Sequence, residues 1–61
     1  MTPENYRFCC NALLVALLGS HEMAQRWWTS QNYHWNLQTP ETVFDTDPRA
    51  VYTYLLNFYD R

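Results

Sequence analysis

Sixty-one residues make one domain at most, and a chain of that length buries only about 60% of the surface its unfolded form exposes. A content of 48% hydrophobic and 18% aromatic residues compensates for the small core, and it predicts that some aromatics stay on the surface. Four arginines, no lysine and six acidic residues leave a net charge of −2, which excludes the clustered basic footprint that nucleic-acid binding requires.

Three helix starts share one device. Thr2-Pro3, Thr39-Pro40 and Asp47-Pro48 each place a capping oxygen before a proline whose missing N–H costs nothing at the first helical position. The first predicted helix runs over residues 3–18, with Tyr6, Cys10, Leu13, Leu14, Leu17 and Leu18 as the core stripe. Phe8, Ala12, Val15 and Ala16 lie on its other faces, so its second half is apolar nearly all round and calls for cover. Gly19 ends it and Ser20 caps a second helix over residues 20–29, with Met23, Ala24, Trp27 and Trp28 inward. Glu22 and Arg26 form an i, i+4 pair on its outside.

A polar turn from Thr29 to Asn32 follows, and then a single turn or extended link over residues 33–37 that drops Trp35 and Leu37 onto the core. A short third helix covers residues 40–44 with Val43 and Phe44 inward. The fourth runs from Pro48 to about Tyr59, with Val51, Leu55 and Phe58 as its stripe. No stretch alternates like a strand, so the expected fold is all-α, a single domain of about four helices spanning residues 1–61.

The longest apolar run, residues 12–18, is far shorter than the roughly 20 residues that span a bilayer, so no membrane association is expected. The acidic start at Glu4 does not fit a signal peptide. Cys9 and Cys10 are adjacent on a helix and cannot bridge without breaking it. Reduced thiols and a cytoplasmic location follow as expectations.

Catalytic chemistry finds little support. Cys9, Cys10, His21 and His34 lack zinc-ligand spacing, and the cysteines sit mid-helix beside Phe8 and Leu13, whereas a reactive thiol wants a helix N-terminus or a cationic neighbour. Asp45 and Asp47 flank a helix start, where acids ordinarily cap. The chain is also too short to enclose a substrate pocket of ~300 Å³ or more. The reading is a non-enzymatic protein without metal or cofactor. Its remaining signal is the aromatic set Trp27, Trp28, Tyr33, Trp35, Tyr52, Tyr54 and Tyr59, the residue types that dominate interface hot spots. Tyr33, Tyr52 and Tyr59 are expected to be exposed, and Tyr52, Leu56 and Tyr59 to share a face turned away from the core stripe.

The order Gly19, Ala24, Trp27 or Trp28, Asn32, Thr39-Pro40, Val51, Leu55 resembles the toxin-binding domain at the C-terminus of the MbcA/ParS/Xre antitoxins. The resemblance covers nearly the whole chain. It implies a helical module that holds and neutralises a RES-type toxin, an enzyme that consumes or transfers from NAD. It also implies that the last helix and tail approach the toxin's NAD pocket, which brings Tyr59, Asp60 and Arg61 nearest the blocked site. The helix-turn-helix half usual in that family is not part of this sequence, and the start at Met1-Thr2-Pro3 suggests a free-standing version of the kind suited to phages and mobile elements. Where the family commonly has a loop of small residues after the Asn, this chain has Tyr33-His34-Trp35-Asn36-Leu37-Gln38.

The partner-binding set expected from all this is Tyr33, Trp35, Tyr52, Leu56, Tyr59, Asp60 and Arg61. Two rival readings stand beside the toxin. One is a phage-encoded inhibitor of a host enzyme or defence system; the other is a homodimer formed through the first helix, with the dimer as the functional unit.

Overall fold

In the computed structural model, which describes residues 1–60, the four expected helices are all present. They are α1 (Pro3–Leu18), α2 (His21–Trp28), α3 (Pro40–Thr46) and α4 (Pro48–Tyr59), with a 3₁₀ turn at Tyr33–Trp35. No strand occurs among the described residues. The protein is a small all-α bundle.

Each start forms for the reason its sequence suggests. The hydroxyl of Thr2 accepts the Asn5 N–H, that of Ser20 the Met23 N–H, and that of Thr39 the Thr42 N–H, each at 3.2 Å. The Asp47 carboxylate accepts the Ala50 N–H at 3.2 Å, so one orphan donor of every helix is satisfied by the residue just outside it. Asp47 also closes α3 by donating its N–H to the Val43 carbonyl at 2.8 Å. One residue therefore ends α3 and caps α4, which extends α3 to Thr46, two residues beyond the expected end. Gly19 adopts φ 92° and donates its N–H to the Val15 carbonyl at 2.8 Å. This is the left-handed stop that lets α2 fold back on α1.

α1 and α4 make the most extensive helix pair and run in the same general direction. Tyr6 meets Tyr52 near their N-terminal ends at a ring separation of 5.6 Å, and Leu14 and Leu17 share a groove with Leu55 and Phe58 near their C-terminal ends. The core is Cys10, Leu14, Ala24, Trp28, Val43, Phe44, Val51 and Leu55, drawn from all four helices. Trp28 is its largest member, 1% exposed. Its indole N–H donates to Asn11 Oδ1 at 2.7 Å, which supplies the partner that a buried indole needs. The Arg7 guanidinium lies 3.7 Å from the centroid of the Trp28 ring and 5.5 Å from that of Phe44. Arg7 also reaches Glu41 at 3.5 Å, so it ties α1 to α3 across the face of the buried indole.

Five residues expected inside are not. Leu17, Leu18, Met23, Leu37 and Phe58 are all exposed. Leu17 and Leu18 belong to the last turn of α1 and Phe58 to that of α4, and these turns line an open groove rather than the closed core. Met23 lies on the outer side of a helix of only two turns. Leu37 is turned outward by its backbone, because Asn36 and Leu37 both adopt positive φ, 55° and 69°.

Those two residues belong to a loop tied at its neck. Asn32 donates to the Gln38 carbonyl at 3.1 Å, and Leu37 donates to the Asn32 carbonyl at 2.9 Å. Asn tolerates the left-handed region, whereas Leu is strained there. Leu37→Gly is expected to raise stability by roughly 0.5–1 kcal/mol through relief of that strain. A urea midpoint unchanged or lowered would show that the leucine side chain compensates.

Candidate protein-binding surface

The aromatic residues fall into two groups with different work. Trp27 sits between the core and the 3₁₀ turn, with ring centroids 5.3 Å from Trp28, 6.2 Å from Trp35 and 6.5 Å from Tyr54. Tyr54 in turn stands 4.7 Å from Trp35, 4.6 Å from His34 and 4.9 Å from Phe58. This ladder pins the turn onto α4, since edge-on and offset ring pairs each add about 0.5–1.5 kcal/mol beyond their buried area. Trp27, Trp35 and Tyr54 are thus half-buried packing groups.

The second group is solvated. Tyr33 is 89% exposed and Tyr59 is 55% exposed, as the sequence reading expects. Tyr52 is not: it is half-buried against Tyr6 and packs on the core, because the parallel course of α1 and α4 covers the face that it shares with Leu56. Leu56 is likewise half-buried. Asp60 is exposed and donates its N–H to the Leu56 carbonyl at 3.0 Å, ending α4. Arg61 lies outside the described residues. The expected partner-binding set is therefore not one patch. Tyr33 stands on the tied loop, Tyr59 and Asp60 at the end of α4, Trp35 and Tyr52 pack against the core, and Leu56 is half-buried.

What the structure brings together instead is an apolar end. Leu17, Leu18, Trp27, Tyr54 and Phe58 line a groove of about 210 Å³ floored by Leu14 and Leu55. Leu17, Leu18 and Phe58 at its rim are 40%, 41% and 45% exposed. No charged residue lines it, and Tyr59 follows Phe58 at the same end of α4. Isolated exposed leucines are ordinary on small proteins, but a contiguous apolar patch around a groove is the feature that marks docking sites. The sequence signal for it was present in the all-round apolarity of the end of α1, read there as a need for cover.

Two further grooves are open and larger. One, of about 510 Å³, runs along α4 under His34 and is lined by Asp47, Arg49, Thr53, Tyr54 and Asn57 among others. The other, of about 520 Å³, lies between α1 and α2 beside Phe8. Their size exceeds what the chain length alone suggests, because both are shallow channels between elements rather than enclosed cavities.

Burial pushes the Cys10 thiol up to about 11; neighbouring Cys9 adds to the shift and Arg7 opposes it. Cys10 therefore stays protonated at neutral pH and is a weak nucleophile there. Both cysteines are free thiols. Among the described residues no three His, Cys, Asp or Glu side chains gather as metal ligands, and no helix is long and apolar enough to cross a membrane. No protein family, curated protein or solved structure matches this chain.

Proposed function

We propose that this chain is a non-enzymatic binding module that docks a partner protein on its apolar end and neutralises or modulates it, with a RES-type toxin as the partner class. The observation that carries the binding reading is the uncharged groove at the C-terminal ends of α1 and α4, whose rim residues Leu17, Leu18 and Phe58 remain solvated. A chain this small gains much from covering such a patch, since interface energy concentrates where apolar anchors become fully desolvated. Tyr59, next to the groove, supplies an amphipathic anchor of the kind enriched in interfaces. The choice of partner rests on the resemblance of the Gly19 to Leu55 pattern to the antitoxin domain, which directs the end of α4 toward the toxin's NAD pocket. The same reading puts the protein in the cytoplasm, with its thiols reduced.

The test is to express the tagged chain in its native host, identify what co-purifies, and repeat with Leu17→Asp and Tyr59→Ala. A RES-domain protein captured by the wild type and lost about tenfold or more with Leu17→Asp supports the reading. Far-UV circular dichroism unchanged by either substitution assigns the loss to the surface. Capture of a host or defence enzyme through the same residues replaces the toxin with the inhibitor reading. Equal capture by wild type and both variants overturns the assignment of this end.

A further inference from the structure

We propose that the partner's contact extends from the apolar end along the outer face of α4, where Arg49 receives an acidic side chain of the partner protein. The inference rests on the docking reading above and adds to it the chemistry of a second contact. Every helix carries a charged residue at its second position. In α1, α2 and α3 that residue is Glu4, Glu22 and Glu41, an acid set against the positive end of the helix. In α4 it is Arg49, with no acid in the first turn. A cation there opposes the helix dipole, so the fold gains nothing from an arginine at that place.

Nor is its charge met within the chain. Arg7 pairs with Glu41 at 3.5 Å and Arg26 with Glu22 at 3.1 Å, whereas Arg49, which is exposed, has no ion pair among the described residues. Asp47, the acid nearest to it in sequence, accepts the Ala50 N–H at 3.2 Å as the cap of α4. A residue that breaks a local rule without a return to the fold is one for which function is the expected reason.

The surroundings of Arg49 name the occupant. It lines the groove of about 510 Å³ that runs along α4, and Thr53 and Asn57 follow it at intervals of about one helical turn. Tyr54 and Phe58 line both this groove and the one at the apolar end, so the two form one continuous surface. That surface is apolar at the end of α4 and polar toward its start. A partner seated on Leu17, Leu18 and Phe58 meets Arg49 about 14 Å further along the helix axis, which lies within an interface of standard size, roughly 800 Å² per partner. The planar guanidinium binds a carboxylate through two parallel N–H···O bonds, and arginine is among the residues enriched at interface hot spots. An acidic residue of the partner is thus the complement of the polar end, as an apolar one is of the other.

Calorimetric titration of a purified RES-domain toxin with the full chain tests the proposal, using Arg49→Gln, Arg49→Glu and Leu17→Asp. Arg49→Gln is expected to weaken binding about tenfold, and Arg49→Glu further by repelling the facing acid. Raising the salt from about 50 to about 500 mM is expected to weaken the wild type more than Arg49→Gln, since only the wild type has the charge pair to screen. The urea midpoint of the free Arg49→Gln chain is expected to equal or exceed that of the wild type. A lowered midpoint gives Arg49 structural work and overturns the proposal whatever the toxin does. Leu17→Asp separates this contact from the docking reading. Loss with Leu17→Asp but with neither Arg49 variant overturns the acidic contact and leaves the apolar end in place. Loss with the Arg49 variants alone supports the acidic contact and removes the apolar end. Binding that is equal in all four chains, or absent from the wild type, overturns both.

Discussion

Trp28→Ala is expected to unfold the chain at room temperature. The indole is 1% exposed and holds three helices together: it donates to Asn11 of α1, meets Phe44 of α3 edge-on at 5.4 Å, and carries the Arg7 guanidinium on its face. Truncating a buried Trp costs about 3–5 kcal/mol. A chain of this length has a total stability of only about 3–9 kcal/mol at the usual 0.05–0.15 kcal/mol per residue. Far-UV circular dichroism should therefore show most of the helix signal lost, or a melting temperature lowered by tens of degrees. Trp28→Phe keeps ring contact but leaves Asn11 without its donor, so it should fall between wild type and alanine. A folded Trp28→Ala protein with near-wild-type melting would mean that the core is organised around Leu14 and Val51 instead.

Leu14→Ala and Leu17→Ala are expected to differ sharply although the two leucines lie one turn apart on α1. Leu14 is 1% exposed and lies in the core, whereas Leu17 is 40% exposed at the open end. The first should lose about 2–5 kcal/mol, as buried leucines do when a cavity replaces them. The second should lose less than about 1 kcal/mol, because water already reaches its side chain. Urea midpoints at constant slope separate the two. Equal losses would place Leu17 inside the fold and remove the apolar end from consideration as a docking site.

The contrast between these two leucines shows where sequence pattern stops. Helix starts are local events, decided by a hydroxyl or carboxylate and a proline within a few residues, and so Thr2, Ser20, Thr39 and Asp47 are readable as caps directly. Burial depends on which helix lies opposite, and an apolar stripe looks the same whether or not its last turn is covered. Leu17, Leu18 and Phe58 therefore read as core and are rim. The link after Asn32 shows the same limit: Trp35 packs against the core as expected, while Leu37, at positive φ, is exposed, a backbone choice that no local residue preference announces.

The antitoxin-like pattern can be viewed in the same physical terms. Gly19 is the left-handed stop of α1, Asn32 accepts the His34 N–H at 2.8 Å to start the 3₁₀ turn, and Thr39 caps α3. Ala24, Trp28, Pro40, Val51 and Leu55 are all buried. Each of these residues has work to do in folding; Trp27, the alternative to Trp28 in the pattern, is half-buried and lines the apolar groove. The pattern therefore does structural work in this chain, while the exposed residues at the proposed docking end, Leu17, Leu18, Phe58 and Tyr59, lie outside it. Of the residues that sequence reasoning nominated for binding, Tyr59 and Asp60 lie at that end, and Tyr33 stands apart on its loop.

The most direct measurement is an NMR titration of the isotope-labelled chain with a purified RES-domain toxin, followed through the backbone amides. The account predicts that Leu17, Leu18, Phe58 and Tyr59 shift or broaden first, with the Phe8 face and the Tyr33 loop little changed. An unaltered spectrum at excess toxin, or changes confined to residues away from the apolar end, would contradict it.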